Sequence, residues 1–243
     1  MRNTTIAKNL PCPLDFCVGR TKKGYYNGDM QDTFKPKLKG TDGNSKGNNI
    51  LDPRRIKILE NHQFLPMQAA LERVRDVFLF CCFTGLRYSD VAKLKRSDIK
   101  DGFIVVVTKK TVDGLRIELN KHSQAILDKY KDMKFPKDLA LPIISNVKMN
   151  ARLKILGQVC GIDEPTRIVY FQGGVRHEEV FPKWALLTTH CGRRTFVVTA
   201  LQLGIPSEVI MKWTGHNDFS AMKPYVKIVD ELKAKAMSRF DGL

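Results

Sequence analysis

The sequence predicts a mainly α-helical domain with one small antiparallel β-sheet, an α+β fold. Beyond about residue 50, apolar residues recur at the three- and four-residue spacings of amphipathic helices. One pair of strand-like runs, separated by an Asp-Gly dipeptide, predicts the sheet as a hairpin. The chain has 243 residues, 43% of them hydrophobic, which is enough to bury an ordinary core.

The first sustained helical pattern begins near Gln68 and ends at Thr84, where Gly85 is the expected left-handed cap. A short helix is predicted next, with Ser89 or Asp90 near its start. The apolar positions of these two helices are Leu71, Val74, Phe78, Cys81, Cys82, Val91 and Leu94. The adjacent cysteines lie inside an apolar run and are therefore predicted to be core residues.

A β-hairpin is predicted where residues 103–108 form a β-branched run and residues 115–119 alternate apolar with charged side chains. The dipeptide Asp113-Gly114 supplies the turn. The connection contains Lys110, which could swing into a groove and donate a proton, although a lysine in a turn is usually only solvated.

The rest of the chain is again predicted to be mostly helical. Its expected elements are helices at 123–133 and 147–159, a short strand at 167–171, a helix from His190 that stops at Gly204, a helix at 207–214 and a last helix after Tyr225. Val159 is expected to continue the apolar face of the helix at 147–159, and Leu203 that of the helix from His190. Residues 1–49, in contrast, are irregular and interrupted by Pro and Gly, and they predict a poorly packed arm or linker.

The charge balance favours a polyanionic partner. Lys and Arg number 41 against 25 Asp and Glu, which gives a formal net charge of +16. Nucleic acid is the preferred partner over a membrane surface, because neither a lipid-anchor motif nor a basic amphipathic anchor is present. A generally basic protein without a polyanionic partner is the alternative.

Cysteine spacing and hydropathy bear on metal binding, disulfide bonds and the location of the protein. The six cysteines lack paired spacings, so neither a zinc site nor a disulfide framework is indicated, and we expect no metal. Neither a signal peptide nor an apolar run of membrane-spanning length is present, so we expect a cytoplasmic protein.

The last quarter of the chain holds the strongest candidate site. His190 and Arg193 are three residues apart, which on a helix places both on one face, and a helix N-terminus attracts phosphate. The alternative is that His190 only caps the helix and that Arg193 and the adjacent Arg194 contact solvent. Arg87 follows a Thr-Gly-Leu turn after a buried helix and is either a site cation or the partner of Asp90 in a structural ion pair.

Two further residues are candidates by position. His216 follows Gly215 at a predicted helix break, which is a suitable place to aim an imidazole, although a core histidine is the common alternative. Tyr225 follows Pro224, whose fixed φ orients the chain there, although buried tyrosines are more often structural than nucleophilic.

In combination, these motifs resemble those of the tyrosine recombinase family, also called the phage integrase family. Five motifs occur in the family's order, and the nine-residue step from His216 to Tyr225 also matches. The motifs are Thr84-Gly85-Leu86-Arg87-Tyr88-Ser89-Asp90, Lys110-Thr111, His190-x-x-Arg193-Arg194-Thr195-Phe196, Gly215-His216 and Tyr225. The resemblance extends from about Leu51 to the C-terminus, and within the family the sequence looks like integrases of Bacteroides mobile elements.

The resemblance implies a site-specific recombinase that cleaves and rejoins DNA through a 3′-phosphotyrosyl link, without cofactor or metal. Arg87 and Arg193 would neutralise the phosphate, each offering it two donors, and Tyr225 would attack. The remaining implied roles belong to His190 as hydrogen-bond donor or base, His216 as a second phosphate contact and Lys110 as general acid. Lys110 is chosen over Lys109 because Thr111 matches the family's Lys-Thr pair.

The implied partners are double-stranded DNA and further recombinase subunits in a synaptic tetramer. The implied division of the chain is a catalytic domain at 51–243, preceded at 1–50 by an incomplete remnant of the family's core-binding domain and a linker. That remnant motivates an alternative function, a catalytically inactive DNA-binding remnant of an integrase. A type IB topoisomerase would share the covalent chemistry but would relax plasmid DNA without a preferred site.

Overall fold

A computed structural model describes residues 50–106, 114–172 and 175–216, together with residues 218, 219, 222 and 225. The predicted fold class is confirmed, because helices form most of these residues and the strands form two small sheets. Most described residues belong to one compact unit, Gly47–Thr166 with Phe181–Leu243, whereas Arg167–Val180 belongs to a second unit. The predicted arm at 1–49 and the predicted last helix lie outside the described residues.

The unit begins with three helices, α1 (Pro53–Asn61), α2 (Ala69–Thr84) and α3 (Tyr88–Val91). The sequence analysis missed α1, although its start carries a strong signal. Asp52 caps it by accepting a 2.9 Å hydrogen bond from the Arg55 amide, and Pro53 occupies its first turn. The predicted α2 is confirmed, including Gly85 as its left-handed cap with φ 70°.

A three-stranded antiparallel sheet follows, with strands β1 (Ile99–Lys100), β2 (Phe103–Val106) and β3 (Leu115–Glu118) in that order. The predicted hairpin is confirmed as the β2–β3 pair, in which Ile104 lies opposite Ile117, and both are buried. The short β1 was not predicted. The hairpin connection, including Lys109, Lys110 and Thr111, lies outside the described residues.

Helices α4 (Lys121–Tyr130) and α5 (Asn146–Val159) pack on α2. Both begin at side-chain caps, Asn120 and Ser145, as polar residues before an apolar periodic run allow. The prediction that Val159 continues the apolar face of α5 is wrong, because Val159 is 40% exposed. The face turns away from the core before the helix ends.

A buried charge network joins α2 to α4. The carboxylate of Asp76 accepts hydrogen bonds from Lys129 Nζ at 2.6 Å, Tyr130 Oη at 2.7 Å and Arg75 Nε at 2.8 Å. A buried carboxylate is tolerated when its oxygens are satisfied in this way. The network therefore fixes the position of α4 along α2.

The second unit contributes most of a two-stranded sheet, β4 (Pro165–Gln172) with β5 (Val175–Pro182). The predicted strand at 167–171 is confirmed within β4, and β5 was not predicted. Side chains within the unit support the pairing, since Arg167 Nε lies 2.8 Å from Glu178 and the rings of Tyr170 and His177 stack.

The last described helices are α6 (Thr189–Gln202) and α7 (Ser207–Thr214), both close to their predicted bounds. The backbones of α6 and α2 approach closely at Gly192, where an added Cβ would lie 3.0 Å from Cys81 Cβ. The predicted core placement of Cys81 and Cys82 is confirmed. Leu203, predicted to continue the apolar pattern of α6, is instead 73% exposed because the helix ends at Gln202.

Two apolar clusters result from this packing. The larger one surrounds α2, and the smaller one is formed by α6, α7 and the residues that follow them. The buried members of the smaller cluster are Val197, Val198, Ala200, Leu201, Ile210, Met222 and Tyr225. The ends of α2, α6 and α7 consequently lie near one another, where the predicted site residues are found.

Candidate active site

Arg193 lies at the centre of the candidate site, in the second turn of α6. Its guanidinium is almost enclosed, with 3% of the residue exposed. Nη1 donates a 2.9 Å hydrogen bond to the Gly85 carbonyl at the end of α2, and Nη2 donates to the Thr214 carbonyl at the end of α7. Nη2 also lies 2.9 Å from His216 Nε2. The alternative of a solvent-exposed arginine is therefore wrong.

Three of the five N–H donors of Arg193 thus have partners among the described residues. Two N–H groups are left over from this set for an incoming anion. Burial, followed by the charge of the neighbouring Arg87, lowers the pKa of Arg193 to about 10. Arg193 is still charged at neutral pH and is rigidly oriented.

Gly85 provides this geometry through its missing side chain. Its φ of 70° is in the left-handed region that favours glycine, and an added Cβ would lie 2.5 Å from the Phe196 ring. Phe196 packs edge-on against Trp213 of α7. Gly85 therefore has three roles. It caps α2, leaves room for the Phe196 ring of α6 and presents the carbonyl that accepts a hydrogen bond from Arg193.

His216 follows the left-handed Gly215, φ 61°, which ends α7 and returns the chain over the helix terminus. Its Nδ1 lies 2.9 Å from Thr214 Oγ1. Burial, followed by the charges of Arg193 and Arg87, lowers the pKa of His216 to about 4. His216 is consequently neutral at physiological pH.

His190 lies in the first turn of α6 and is exposed. Thr188, not His190, occupies the capping position of the helix, so the capping alternative is wrong. Burial of part of the ring lowers the pKa of His190, and Arg194, Arg193 and Arg87 act in the same direction. The imidazole is therefore neutral at physiological pH, and the three arginines make it a weaker base than a free histidine.

Arg87 lies between α2 and α3, and its side chain is half-buried. Within the described part of the chain it forms no salt bridge with Asp90, so the structural ion pair proposed as its alternative is absent there. Its charge acts on both Arg193 and His216, which places it at the same site.

Tyr225 is 8% exposed and packs in the small apolar cluster between α6 and α7. Burial raises the pKa of its hydroxyl, while the charges of Arg194 and Arg193 and a hydrogen bond with Arg194 lower it. The phenol therefore lies beside two arginines, so the structure brings five of the six predicted site residues together. The sixth, Lys110, lies outside the described residues.

Sequence reasoning missed the roles of Thr214 and of the Gly85 carbonyl. The role of Thr214 could have been predicted from sequence. Its short hydroxyl side chain lies two residues before His216, with Gly215 between them, and at that spacing it can reach the imidazole ring. The role of the Gly85 carbonyl could not, since it lies 108 residues from Arg193 along the chain.

The site combines crowded cations, a neutral histidine pair and a buried phenol. Two arginines that repel each other are stabilised by an anion between them, as at phosphate sites. Among the described residues, no group of three His, Cys, Asp or Glu side chains is placed to hold a metal ion. In the same part of the chain, every helix is too short or too polar to cross a membrane.

Neither a protein-family model nor a curated protein sequence matches this chain. Solved structures do match. XerA recombinase aligns with a TM-score of 0.58 and 17% identity, over 77% of this chain and 64% of that one. The Tn1549 transposon integrase in complex with circular intermediate DNA aligns with a TM-score of 0.55 and 15% identity, over 91% and 73% of the two chains.

A lambda integrase dimer bound to a core site aligns with a TM-score of 0.53 and 16% identity, over 91% of this chain and 71% of that one. This chain has the fold of a tyrosine recombinase catalytic domain. It spans 64% of the XerA chain and 50% of the XerH site-specific recombinase chain. The closer resemblance to integrases of Bacteroides elements stays a prediction.

Proposed function

We propose that this chain is a site-specific DNA recombinase that breaks and rejoins strands through a 3′-phosphotyrosyl intermediate on Tyr225. The observation that carries the proposal is the placement of a buried phenol beside Arg193 and Arg194, with Arg193 held by three acceptors. Its support is the tyrosine recombinase fold, whose solved examples include proteins bound to DNA. Double-stranded DNA is the proposed substrate, and the net charge of +16 suits it.

In the proposed reaction, the Tyr225 oxygen attacks phosphorus while the bond from phosphorus to the 5′ oxygen breaks. Arg193 and Arg87 stabilise the charge on the non-bridging oxygens from fixed positions, where little reorganisation is needed. The phenol proton passes to a base, for which we propose His190, because its lowered pKa leaves the ring unprotonated before the reaction. Lys110 is proposed to protonate the departing 5′ oxygen, and attack by another 5′ hydroxyl reverses the sequence.

The raised pKa of Tyr225 has a mechanistic consequence. A phenol that stays protonated at neutral pH is a weak nucleophile until its proton is removed. An incoming phosphate, held by both arginines, would bring phosphorus next to this oxygen. We propose that cleavage is thereby confined to DNA that occupies the arginine pair.

The catalytic residues would act within a multi-subunit complex on two duplexes, as the resemblance implies. The chain at 51–243 is proposed as the catalytic domain, and the residues before it as an incomplete core-binding domain and linker. The buried position of Tyr225 in a cluster with α6 and α7 supports attack by each subunit on the phosphate in its own site.

The test is covalent trapping on nicked suicide duplexes drawn from the DNA that flanks the gene. We expect an adduct that resists denaturant, with the DNA attached to Tyr225 by peptide mapping, and no adduct with Tyr225→Phe. Tyr170→Phe serves as the matched control and should retain the adduct, since Tyr170 lies in the second unit and bonds Glu179 there.

An adduct that persists in Tyr225→Phe would overturn the assignment of the nucleophile. A salt-dependent gel shift without an adduct on any duplex would instead establish the alternative, a DNA-binding remnant. Relaxation of plasmid without a preferred site would point to topoisomerase activity.

A further inference from the structure

We propose that Thr214 is a positioning residue: its hydroxyl fixes His216 as the neutral tautomer that accepts a hydrogen bond from Arg193 and so sets the orientation of that guanidinium. The hydrogen bonds on which this proposal rests join Thr214, His216 and Arg193, all of which the structure describes. The consequence for catalysis rests on the function proposed above.

The hydroxyl of Thr214 determines where the proton of His216 lies. Thr214 Oγ1 is 2.7 Å from the Ile210 carbonyl, which can only accept, so the single hydroxyl proton is used there. The 2.9 Å contact from Oγ1 to His216 Nδ1 then needs a proton on Nδ1. The imidazole therefore donates to the threonine.

The contact on the other side of the ring favours the same tautomer. His216 Nε2 lies 2.9 Å from Arg193 Nη2, and a guanidinium can only donate. Nε2 must therefore present its lone pair. Because the two contacts agree, the neutral Nδ1–H form is the only protonation state that satisfies both.

Thr214 also contacts Arg193 directly through its backbone carbonyl, which accepts from Nη2. The residue is fully buried at the end of α7, and the left-handed Gly215 after it brings His216 back over the hydroxyl. The Thr214 carbonyl thus accepts a hydrogen bond from Arg193, and the Thr214 hydroxyl orients His216, which is the other acceptor of Arg193 Nη2.

The surroundings favour the same state of the ring. Within the described residues, the charged and titratable groups that act on His216 are Arg193, Arg87 and His190, and each of them disfavours a positive imidazole. In the resting site, His216 is therefore a support for Arg193 and has no proton on Nε2 to donate. Without the Thr214 hydroxyl, only the contact with Arg193 would favour the Nδ1–H form, so a larger fraction of the rings would carry the proton on Nε2 and point an N–H at the guanidinium.

The test compares Thr214→Val, which keeps the shape and removes the hydroxyl, with Thr214→Ser, which keeps the hydroxyl. Nitrogen-15 NMR of the imidazoles distinguishes protonated from unprotonated ring nitrogens, and His216→Gln identifies the His216 signals among the five histidines. We expect Nδ1–H in the wild type and in Thr214→Ser, and a shift towards Nε2–H in Thr214→Val.

Trapping on suicide duplexes supplies the second readout. Adduct formation should slow by about tenfold in Thr214→Val, which corresponds to one hydrogen bond to a charged network, and stay close to the wild-type rate in Thr214→Ser. Thermal unfolding of each variant separates this effect from a loss of folded protein.

A wild-type His216 that is protonated on Nε2 or charged at neutral pH would overturn the proposal whatever the variants do. So would a Thr214→Val protein with the wild-type tautomer and rate. If the tautomer shifts as expected but no variant forms an adduct, the positioning role stands and the proposed recombinase function fails.

Discussion

Among the described residues, no carboxylate accepts a hydrogen bond from the buried Arg193, and neutral acceptors take that place. Two carbonyls and one imidazole satisfy three of its donors without cancelling its charge. A carboxylate there would neutralise the site and repel phosphate. The choice of neutral acceptors leaves a rigid positive group facing the space beside Tyr225.

The same arrangement makes stability depend on pH through His216. Its pKa falls from 6.5 to about 4 on folding, so the unfolded chain binds more protons between these values. The contribution of His216 is fully present above pH 6.5 and is lost as pH falls towards 4. His190, whose pKa is also lowered, contributes with the same sign.

We expect His216→Gln to flatten the fall in the free energy of unfolding between about pH 6.5 and pH 4. The pKa shift of His216 limits the difference between variant and wild type in the free energy of unfolding to about 3 kcal/mol, and partial solvent exposure of the ring reduces this difference. Urea unfolding at several pH values measures it. An equally steep fall in the variant would show that His216 titrates normally in the folded protein.

At the scale of elements, the site forms where the ends of three helices meet. Glycine ends α2 and α7 in the left-handed conformation, which turns the chain sharply enough to aim the next residues at Arg193. Sequence predicted both ends correctly because glycine after an apolar periodic run is a local signal. It missed β1 and β5, whose pairing depends on neighbours in the fold, and it missed α1 although Asp52 and Pro53 mark its start.

Gly85 and Gly204 offer a matched pair for separating backbone strain from crowding. Both have positive φ, but an added Cβ meets Phe196 at 2.5 Å at Gly85 and nothing within 4 Å at Gly204. We expect Gly204→Ala to destabilise by about 1 kcal/mol, from strain alone. Gly85→Ala should cost about 2 kcal/mol more, because the Phe196 ring must move.

Chemical denaturation of the two variants measures the difference. Equal losses would show that Phe196 yields freely and that Gly85 is needed only as a cap. A displaced Gly85 carbonyl would also loosen Arg193, so Gly85→Ala is expected to slow adduct trapping where Gly204→Ala does not.

At the scale of the molecule, the positive charge is far larger than solubility requires. A net charge of +16 on a chain proposed to bind duplex DNA predicts strong counterion release on binding. We expect affinity for unrelated duplexes to fall by about a thousandfold or more between about 50 and 200 mM salt. Fluorescence anisotropy on two unrelated sequences measures it, and a flat salt dependence on both would contradict a phosphate-dominated interface.

The sequence by itself determined most helix bounds, the hairpin pairing and the residue types of the site. These depend on local signals: apolar spacing, caps and the three-residue step that puts His190 and Arg193 on one helix face. The predicted roles of Arg87, His190, His216, Arg193, Lys110 and Tyr225 stay proposals. Val159 and Leu203 show the limit of such signals, because each fits a helical pattern near a helix end and yet faces solvent.

Only the tertiary structure decided what Arg193 binds and which nitrogen of His216 carries the proton. The Gly85 carbonyl reaches Arg193 because α2 and α6 approach closely at Gly192, a contact between segments far apart in the chain. The tautomer follows from two hydrogen bonds that exist only once α6 and α7 are packed. Local sequence encodes neither, since both depend on distances between helices that are set by the core as a whole.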